Sequence, residues 1–263
     1  MTNSNLPILN TISYSSLSDW QKCSWYFKVK HIDKIPDFSS SVETHYGTLI
    51  HRFIQQILMN EITPIEAHKK FTRIWKKFTG IYKKYITIDI NFAFKSSQLI
   101  FENIKEKLEE EFPGYKVVAV EYKLIQPSSE KWNQNFKGFI DLILMLPDGN
   151  IKIIDLKTSS SLYTFNKYRD KFKDYQLVLY KLFYSIQASV ELENIDLCFV
   201  VLDKTKAPIS LLKITSGAKK LDNALEWLSS GLRAINRGIF IKNRSNCQLY
   251  GKPCKFYKSE YCK

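Results

Sequence analysis

Gly138-Phe139-Ile140-Asp141-Leu142-Ile143-Leu144-Met145-Leu146-Pro147-Asp148-Gly149-Asn150-Ile151-Lys152-Ile153-Ile154-Asp155-Leu156-Lys157 reads as two β-strands joined by a tight turn. Pro147 presets φ for a type I turn, Asp148 can bond the local backbone, and Gly149 can take the left-handed position that follows. The loop fixes the register. If Leu146 pairs with Asn150, positions summing to 296 face each other, which sets Asp141 across from Asp155, with Lys157 on the same face two residues on. Two carboxylates about 5 Å apart and a lysine then crowd one end of an apolar ribbon.

Like charges that close raise one another's pKa and oppose folding unless something neutralises them. A divalent cation does so directly, and oxygen ligands at this spacing suit Mg²⁺ or Mn²⁺ with retained waters. Lys157 can orient such a water or offset charge developing on a phosphate. The bland alternative is a surface Asp-Asp-Lys salt-bridge cluster, and an isolated D-x-K carries almost no information.

The neighbouring sequence adds further motifs. Ile154-Asp155-Leu156-Lys157-Thr158 is followed by Gln176-Leu177-Val178-Leu179-Tyr180. Upstream stand Gly47-Thr48-Leu49-Ile50-His51 and Ser13-Tyr14-Ser15-Ser16-Leu17-Ser18-Asp19-Trp20-Gln21-Lys22-Cys23. Together with Gly138-Phe139-Ile140-Asp141, this set resembles the PD-(D/E)XK nucleases in their RecB-like form, with a Q-x-x-x-Y helix, a G-x-x-x-H helix and an S-x-S-x-L opening that ends in cysteine. The resemblance covers nearly the whole chain, is strongest from 138 to 180 and is weakest from 60 to 112.

Composition bounds the possibilities. At 263 residues with 44% hydrophobic content the chain can bury a sizeable core in one large domain. Lys and Arg outnumber Asp and Glu 39 to 26, a formal charge of +13, which favours a polyanionic partner, nucleic acid first. The basic residues are spread along the chain and do not flank a lipid anchor, and no apolar run approaches the roughly 18 residues of a membrane span. Neither a membrane association nor a secretory leader is expected. No G-x-x-x-x-G-K-[ST] occurs, so no nucleotide cofactor is expected and any motor would be a separate partner.

Ser16-x-x-Asp19 can form a capping box that starts a helix running to about Lys30. A second helix over about 45–60 buries Ile50, Phe53, Ile54 and Ile57 and leaves His51 at the edge of its apolar face. A lone helical histidine is usually just packed or solvated; the resemblance implies that His51 is a metal ligand. From His68 to Tyr85 a seven-residue repeat sets lysine pairs, Lys69-Lys70, Lys76-Lys77 and Lys83-Lys84, beside an aromatic stripe. One reading is a helix buried on its rings and solvated on its lysines; the other sets Lys76, Lys77, Lys83 and Lys84 along a DNA phosphate track.

A helix over about 92–111 precedes an alternating strand from Tyr115 to Ile125, with Val118, Val120, Tyr122 and Leu124 on one face and Glu121 on the other. The resemblance makes this the strand before the catalytic hairpin, so Glu121 is either an accessory site residue or a rim salt bridge. Gln176 and Tyr180 fall on one face of a helix over about 172–187. The resemblance implies contact with the substrate backbone or the reactive phosphate; the alternative is ordinary helix surface. Strands near 194–203 and 208–214 and a helix from about 216 to 236 complete the pattern, with Cys198 as a core thiol.

The last 17 residues hold Cys247, Cys254 and Cys262 in a stretch too short for its own core. Five cysteines without a secretory leader argue against a disulfide framework. With Cys23, the three resemble the iron-sulfur staple of RecB-like nucleases, in which thiolates hold a [4Fe-4S] cluster. Six and seven intervening residues depart from the tighter C-x-x-C spacing of such relatives, so zinc and free thiols both remain open.

The resemblance implies a restriction-endonuclease-like α/β fold: a mixed central sheet flanked by helices. It carries an N-terminal helical region over 1–112, a nuclease core over 113–240 and a cysteine-clamped tail over 241–263 joined to Cys23. It further implies a Mg²⁺- or Mn²⁺-dependent DNA exonuclease, acting on ends or single strands in recombination, repair or phage replication, in the cytoplasm of a bacterial or phage-infected cell. A separate helicase or recombinase is a candidate partner. His51, Asp141, Asp155 and the Leu156 carbonyl are the implied metal ligands, with Lys157, Gln176 and Tyr180 completing the site. The competing expectation is a non-catalytic DNA-binding subunit of a larger recombination or helicase-nuclease complex, and a site-specific endonuclease is a further one.

Overall fold

The computed structural model describes residues 9–36, 42–81, 90–127, 134–203, 209–249 and 252–263. Lys83, Lys84 and Tyr85 of the lysine repeat, Ser39 to Ser41 of the polar loop and the first eight residues lie outside the described residues. The fold is mixed α/β and divides into two compact units.

The first unit comprises residues 1–39, 123–138 and 218–263. Strand β1 (Thr11–Ser13) pairs in parallel with the start of β3 (Asn135–Met145), Ile12 opposite Phe136. Helix α1 (Tyr14–Lys22) starts earlier than the Ser16-x-x-Asp19 pattern predicts. Ser13 is the cap: its hydroxyl accepts from Ser16 N, and the Ser16 hydroxyl reciprocates at Ser13 N, 3.0 Å away. The helix also stops short of Lys30. Cys23 is extended at φ −160°, and α2 (Ser24–Phe27) and a π-helical turn (Lys28–Ile32) continue after the break. Helix α8 (Ala218–Asn236) packs against α1 at Gly231, where a Cβ would meet Leu17 Cδ1 at 2.5 Å.

The second unit comprises residues 40–122 and 139–217. Its sheet runs β3, β4 (Ile151–Ser159), β5 (Ile195–Asp203) and β6 (Ile209–Ile214). β3 and β4 are antiparallel, β4 and β5 parallel, β5 and β6 antiparallel. The turn chemistry holds as read. Leu146 N donates to Asn150 O at 2.8 Å, Asn150 N donates to Asp148 Oδ1 at 2.9 Å, and Gly149 sits at φ +85°. Leu142 faces Ile154 and Met145 faces Ile151, both pairs summing to 296.

Alternation sorts the strand residues between two helical layers. Leu142, Leu144, Ile154, Leu156, Cys198 and Val200 share one buried cluster with α3 (Val42–Leu58), α4 (Pro64–Ile81) and α5 (Ile90–Glu111). Phe199, on the other face, meets Phe165 of α6 (Leu162–Lys167), and α7 (Lys171–Ala188) packs along β4 and β5 on that side. In α4, Phe71 and Trp75 are fully buried while Lys69, Lys70, Lys76 and Lys77 are exposed, so the aromatic stripe is core and the lysines are solvated. Among the described residues no helix is long and apolar enough to cross a membrane.

Strand β2 (Lys116–Gln126) departs from strict alternation. Val117 and Val120 both pack on the core while Val118 is exposed, although Val118 and Val120 were expected on one face. Immediately after Val120, Glu121 takes φ +48°, a left-handed conformation that interrupts the regular extended backbone.

Candidate active site

The β3–β4 ladder ends at Leu142 and Ile154, one step before the facing carboxylates. Beyond it Leu156 N donates to Asp141 Oδ2 at 2.8 Å, so a side chain receives the bond that a strand backbone would otherwise take. Continuing the register by one residue sets Asp141 opposite Asp155. Burial, then the charge of Asp155, raise the Asp141 carboxyl well above its ordinary range, and the Lys157 cation and the Leu156 N–H only partly offset this. Asp155 is 3% exposed; burial also raises its pKa, against the opposing pull of Lys157.

Lys157 Nζ lies 2.7 Å from Asp155 Oδ2. The contact is a close charge-assisted pair that ties the lysine to the buried carboxylate. Burial depresses the Lys157 ammonium, but Asp155 and then Asp141 more than offset this, so its pKa is raised and it stays charged at neutral pH. The same Nζ donates to Gln176 Oε1 at 3.2 Å, and Gln176 Nε2 reaches Tyr180 Oη at 3.3 Å. The four-residue spacing on α7 thus delivers both polar tips to the lysine. Tyr180 is buried, and burial drives its phenol far above the usual range, so it stays protonated.

On α3, His51 Nδ1 lies 3.6 Å from Asp141 Oδ2. Burial, then the Lys157 charge, lower His51 to about 4, so the imidazole is neutral at pH 7 and the contact is no ion pair. Gly47, one turn earlier, explains the close approach: a Cβ there would stand 3.0 Å from Thr158 Oγ1, the residue after Lys157. The G-x-x-x-H spacing therefore docks α3 on the end of β4 and aims the ring at Asp141.

Glu121 belongs to the same neighbourhood, its charge adding to the upward push on Asp141. Gln55, one turn after His51, was not singled out by any motif, yet it donates Nε2 to Glu121 Oε1 at 2.8 Å and lies 3.5 Å from Asp141 O. It is buried at 8% exposure, and a buried glutamine one turn beyond a candidate ligand on the same helix face is the signal that could have found it. Asp141, Asp155, Lys157, Gln176, Tyr180, His51 and Glu121 are thus brought together within the second unit, while Lys76 and Lys77 stand exposed on α4.

Whether these groups suit a divalent cation is a matter of donor chemistry. Asp155 is buried and Asp141 partly so, their charges oppose each other, and a neutral imidazole is adjacent; this set suits a hard cation. Among the described residues, however, no three His, Cys, Asp or Glu side chains stand in ready coordination geometry. Lys157 supplies the counter-charge in this arrangement.

The first unit holds a separate feature. Cys23, Cys247, Cys254 and Cys262 line one small cavity with Trp25, Tyr26 and Phe256, and none is in a disulfide. Asn243 N donates to Cys23 Sγ at 3.4 Å, and Cys254 N donates to Cys247 O at 2.7 Å. Burial raises the Cys254 thiol, and the other three sulfurs push in the same direction. Cys198 is buried at 2% exposure in β5, as its strand pattern predicts.

Comparisons with known proteins bear on the fold and the family. No curated protein matches the chain. A crystal structure from Eubacterium rectale described as "Putative exonuclease" superposes with a TM-score of 0.56 at 15% identity, covering 91% of this chain and 85% of its own. At that identity the likeness concerns the fold. The structure of SSO0001 covers 97% of this chain and 87% of its own at 13% identity, with a TM-score of 0.42. The sequence profile of the PD-(D/E)XK nuclease superfamily matches residues 11–262, nearly the entire length, and the chain belongs to that superfamily.

Proposed function

We propose that the protein is a Mg²⁺- or Mn²⁺-dependent DNA nuclease that hydrolyses phosphodiesters, acting as an exonuclease on ends or single strands. One observation carries the reading: Asp141 and Asp155 stand just beyond the last paired position at the open end of a hairpin, close enough for the Asp155 charge to raise Asp141, with Lys157 bridging from Asp155 to Gln176. A structural salt bridge needs one acid per base, whereas this site keeps a surplus buried carboxylate. The formal charge of +13 favours a polyanionic substrate.

Asp141 and Asp155 would hold the cation, with His51 and the Leu156 carbonyl beside them and Glu121 as an accessory acceptor. When bound, the cation supplies Lewis acidity and lowers the pKa of water. The residues do the remainder. Lys157 is already protonated and so cannot take a proton from the attacking water; its ammonium instead orients that water or meets charge on the phosphate. Gln176 holds Lys157 in place through Oε1 and presents its amide towards Tyr180, whose hydroxyl remains a donor for a phosphate oxygen. Water adds to phosphorus in line as the ester P–O bond breaks, and the proton that this water sheds passes through solvent to the departing oxygen.

The four cysteines form, in this reading, a structural iron-sulfur site, with zinc as the alternative. The support is that the four thiols line one cavity and none is in a disulfide, although among the described residues no three of them stand in coordination geometry. It takes no part in hydrolysis. Dithionite-bleachable visible absorption with matching iron and sulfide content tests it, and zinc content without colour would assign the alternative.

Incubation with 5′- and 3′-labelled single- and double-stranded DNA, in Mg²⁺, Mn²⁺ or EDTA, tests the main reading. Progressive shortening that requires the cation is expected. Binding of DNA without cleavage in any metal would replace the reading with a non-catalytic DNA-binding subunit.

A further inference from the structure

The segment between the catalytic strand and the Gln176–Tyr180 helix has no role so far. Residues 162–173, Leu-Tyr-Thr-Phe-Asn-Lys-Tyr-Arg-Asp-Lys-Phe-Lys, interleave four aromatic with four basic side chains. They comprise α6, a short connection and the first turn of α7. The segment is firmly seated. Phe165 is buried and its ring lies 5.4 Å from that of Phe199, the residue paired with Asp155 across the β4–β5 ladder. Leu162 N donates to Asp203 Oδ2 at 3.1 Å, and Arg169 pairs with the buried Asp174 at 3.3 Å. These contacts fix α6 on the sheet face that carries Asp155, one strand away.

What the anchored segment turns outward is unusual. Tyr163, two residues from Phe165 and so near the opposite side of α6, is 74% exposed, the most exposed large hydrophobic side chain among the described residues. Tyr168 is 42% exposed, with Lys167 Nζ 5.4 Å from its ring centroid. Lys167 and Lys171 are themselves exposed. A single exposed tyrosine means nothing. Two within five residues, flanked by solvated lysines, on a rigid segment beside a phosphodiester site, match the chemistry of a single nucleic acid strand: rings for unpaired bases and ammonium groups for the intervening phosphates. A duplex keeps its base faces stacked inside and offers such rings nothing.

We infer that Tyr163 and Tyr168, with Lys167 and Lys171, form a stacking platform that grips unpaired nucleotides beside the scissile phosphate and gives the enzyme its preference for single strands. The inference rests on the nuclease reading for the identity of the bound polymer. Base–aromatic stacking contributes about 1–3 kcal/mol per base, so each ring is expected to account for roughly 5- to 150-fold in affinity.

The test compares the full-length protein with Tyr163→Ala, Tyr168→Ala, the double variant and both Tyr→Phe controls. Binding to a fluorescent thymidine oligonucleotide and to a blunt duplex is measured in EDTA, and cleavage of both in Mg²⁺. Tyr163 is mostly solvated, so its variant folds as the parent does. Single-strand affinity is expected to fall roughly fivefold or more with each alanine, duplex affinity to change less than about twofold, and the phenylalanine variants to retain binding. An equal loss on duplex and single strand, or no loss on either, overturns the platform. If the parent cleaves DNA and the alanine variants match it on single strands, the platform fails while the nuclease reading stands. If single strands bind through the rings and are never cut, the platform stands and the nuclease reading fails.

Discussion

Asp141 Oδ2 accepts the Leu156 N–H at 2.8 Å, one residue beyond the last paired position of the β3–β4 ladder. The hairpin is parted at its open end, away from the turn, by an acid that substitutes for backbone. That substitution keeps the acid next to Asp155, and in metal-free protein the two carboxylates burden each other.

The first prediction concerns this burden. In metal-free protein the folded Asp141 pKa lies above its unfolded value, so the folded state binds the proton more tightly and stability falls as pH rises from about 4 through the folded value. Asp141→Asn keeps an oxygen acceptor for Leu156 N and removes the charge. It is expected to raise the metal-free melting temperature by roughly 2–4 °C at neutral pH, corresponding to about 1 kcal/mol, while abolishing cleavage. Thermal melts of both proteins across pH check this, and the two curves should converge in acid.

His51 yields a prediction of opposite sign. Its folded value of about 4 lies below the ordinary 6.5, so the unfolded chain takes up a proton that the folded site refuses. Stability from this residue is complete above about 6.5 and is lost as pH falls towards 4. Histidine NMR in metal-free protein is expected to show the His51 imidazole still neutral at pH 5.5, and His51→Gln should remove that resonance. Ordinary titration of His51 near 6.5 would contradict the burial described.

Glu121 and Gln55 form the third prediction. A glutamate at φ +48° within a strand costs roughly 1–2 kcal/mol relative to glycine, and the Gln55 hydrogen bond holds it there. Glu121→Gly is therefore expected to raise stability by about 1 kcal/mol and to lower the cleavage rate. Gln55→Leu is expected to leave Glu121 untethered, reducing kcat roughly tenfold with little change in KM. Denaturant melts beside steady-state kinetics separate the two effects, and a Glu121→Gly variant of full activity would exclude Glu121 from the site.

The contrast between these residues shows what the sequence makes legible. The hairpin register follows from Pro147-Asp148-Gly149 alone, because turn geometry is local and parity then propagates residue by residue. Gln176 and Tyr180 meet because four residues make nearly one helical turn. Alternation assigns Glu121 to its strand but does not reveal its left-handed backbone, because a glutamate carries no conformational signal of that kind. Gln55 was missed because its partners, Glu121 and Asp141, lie 66 and 86 residues away. The first helix was over-extended for a similar reason. Cys23 breaks it to an extended conformation, and what holds the next turn is tertiary, Trp25 N donating to Ile241 O at 3.2 Å.

The most direct measurement is the single-turnover cleavage rate of labelled single-stranded DNA in Mg²⁺ by the parent protein and by Asp155→Asn, each titrated from EDTA to saturating metal. The account predicts cleavage that rises with Mg²⁺ in the parent and is at least about 10²–10³-fold slower in the variant at every concentration. Equal rates in the two proteins, or cleavage that persists in EDTA, would contradict it.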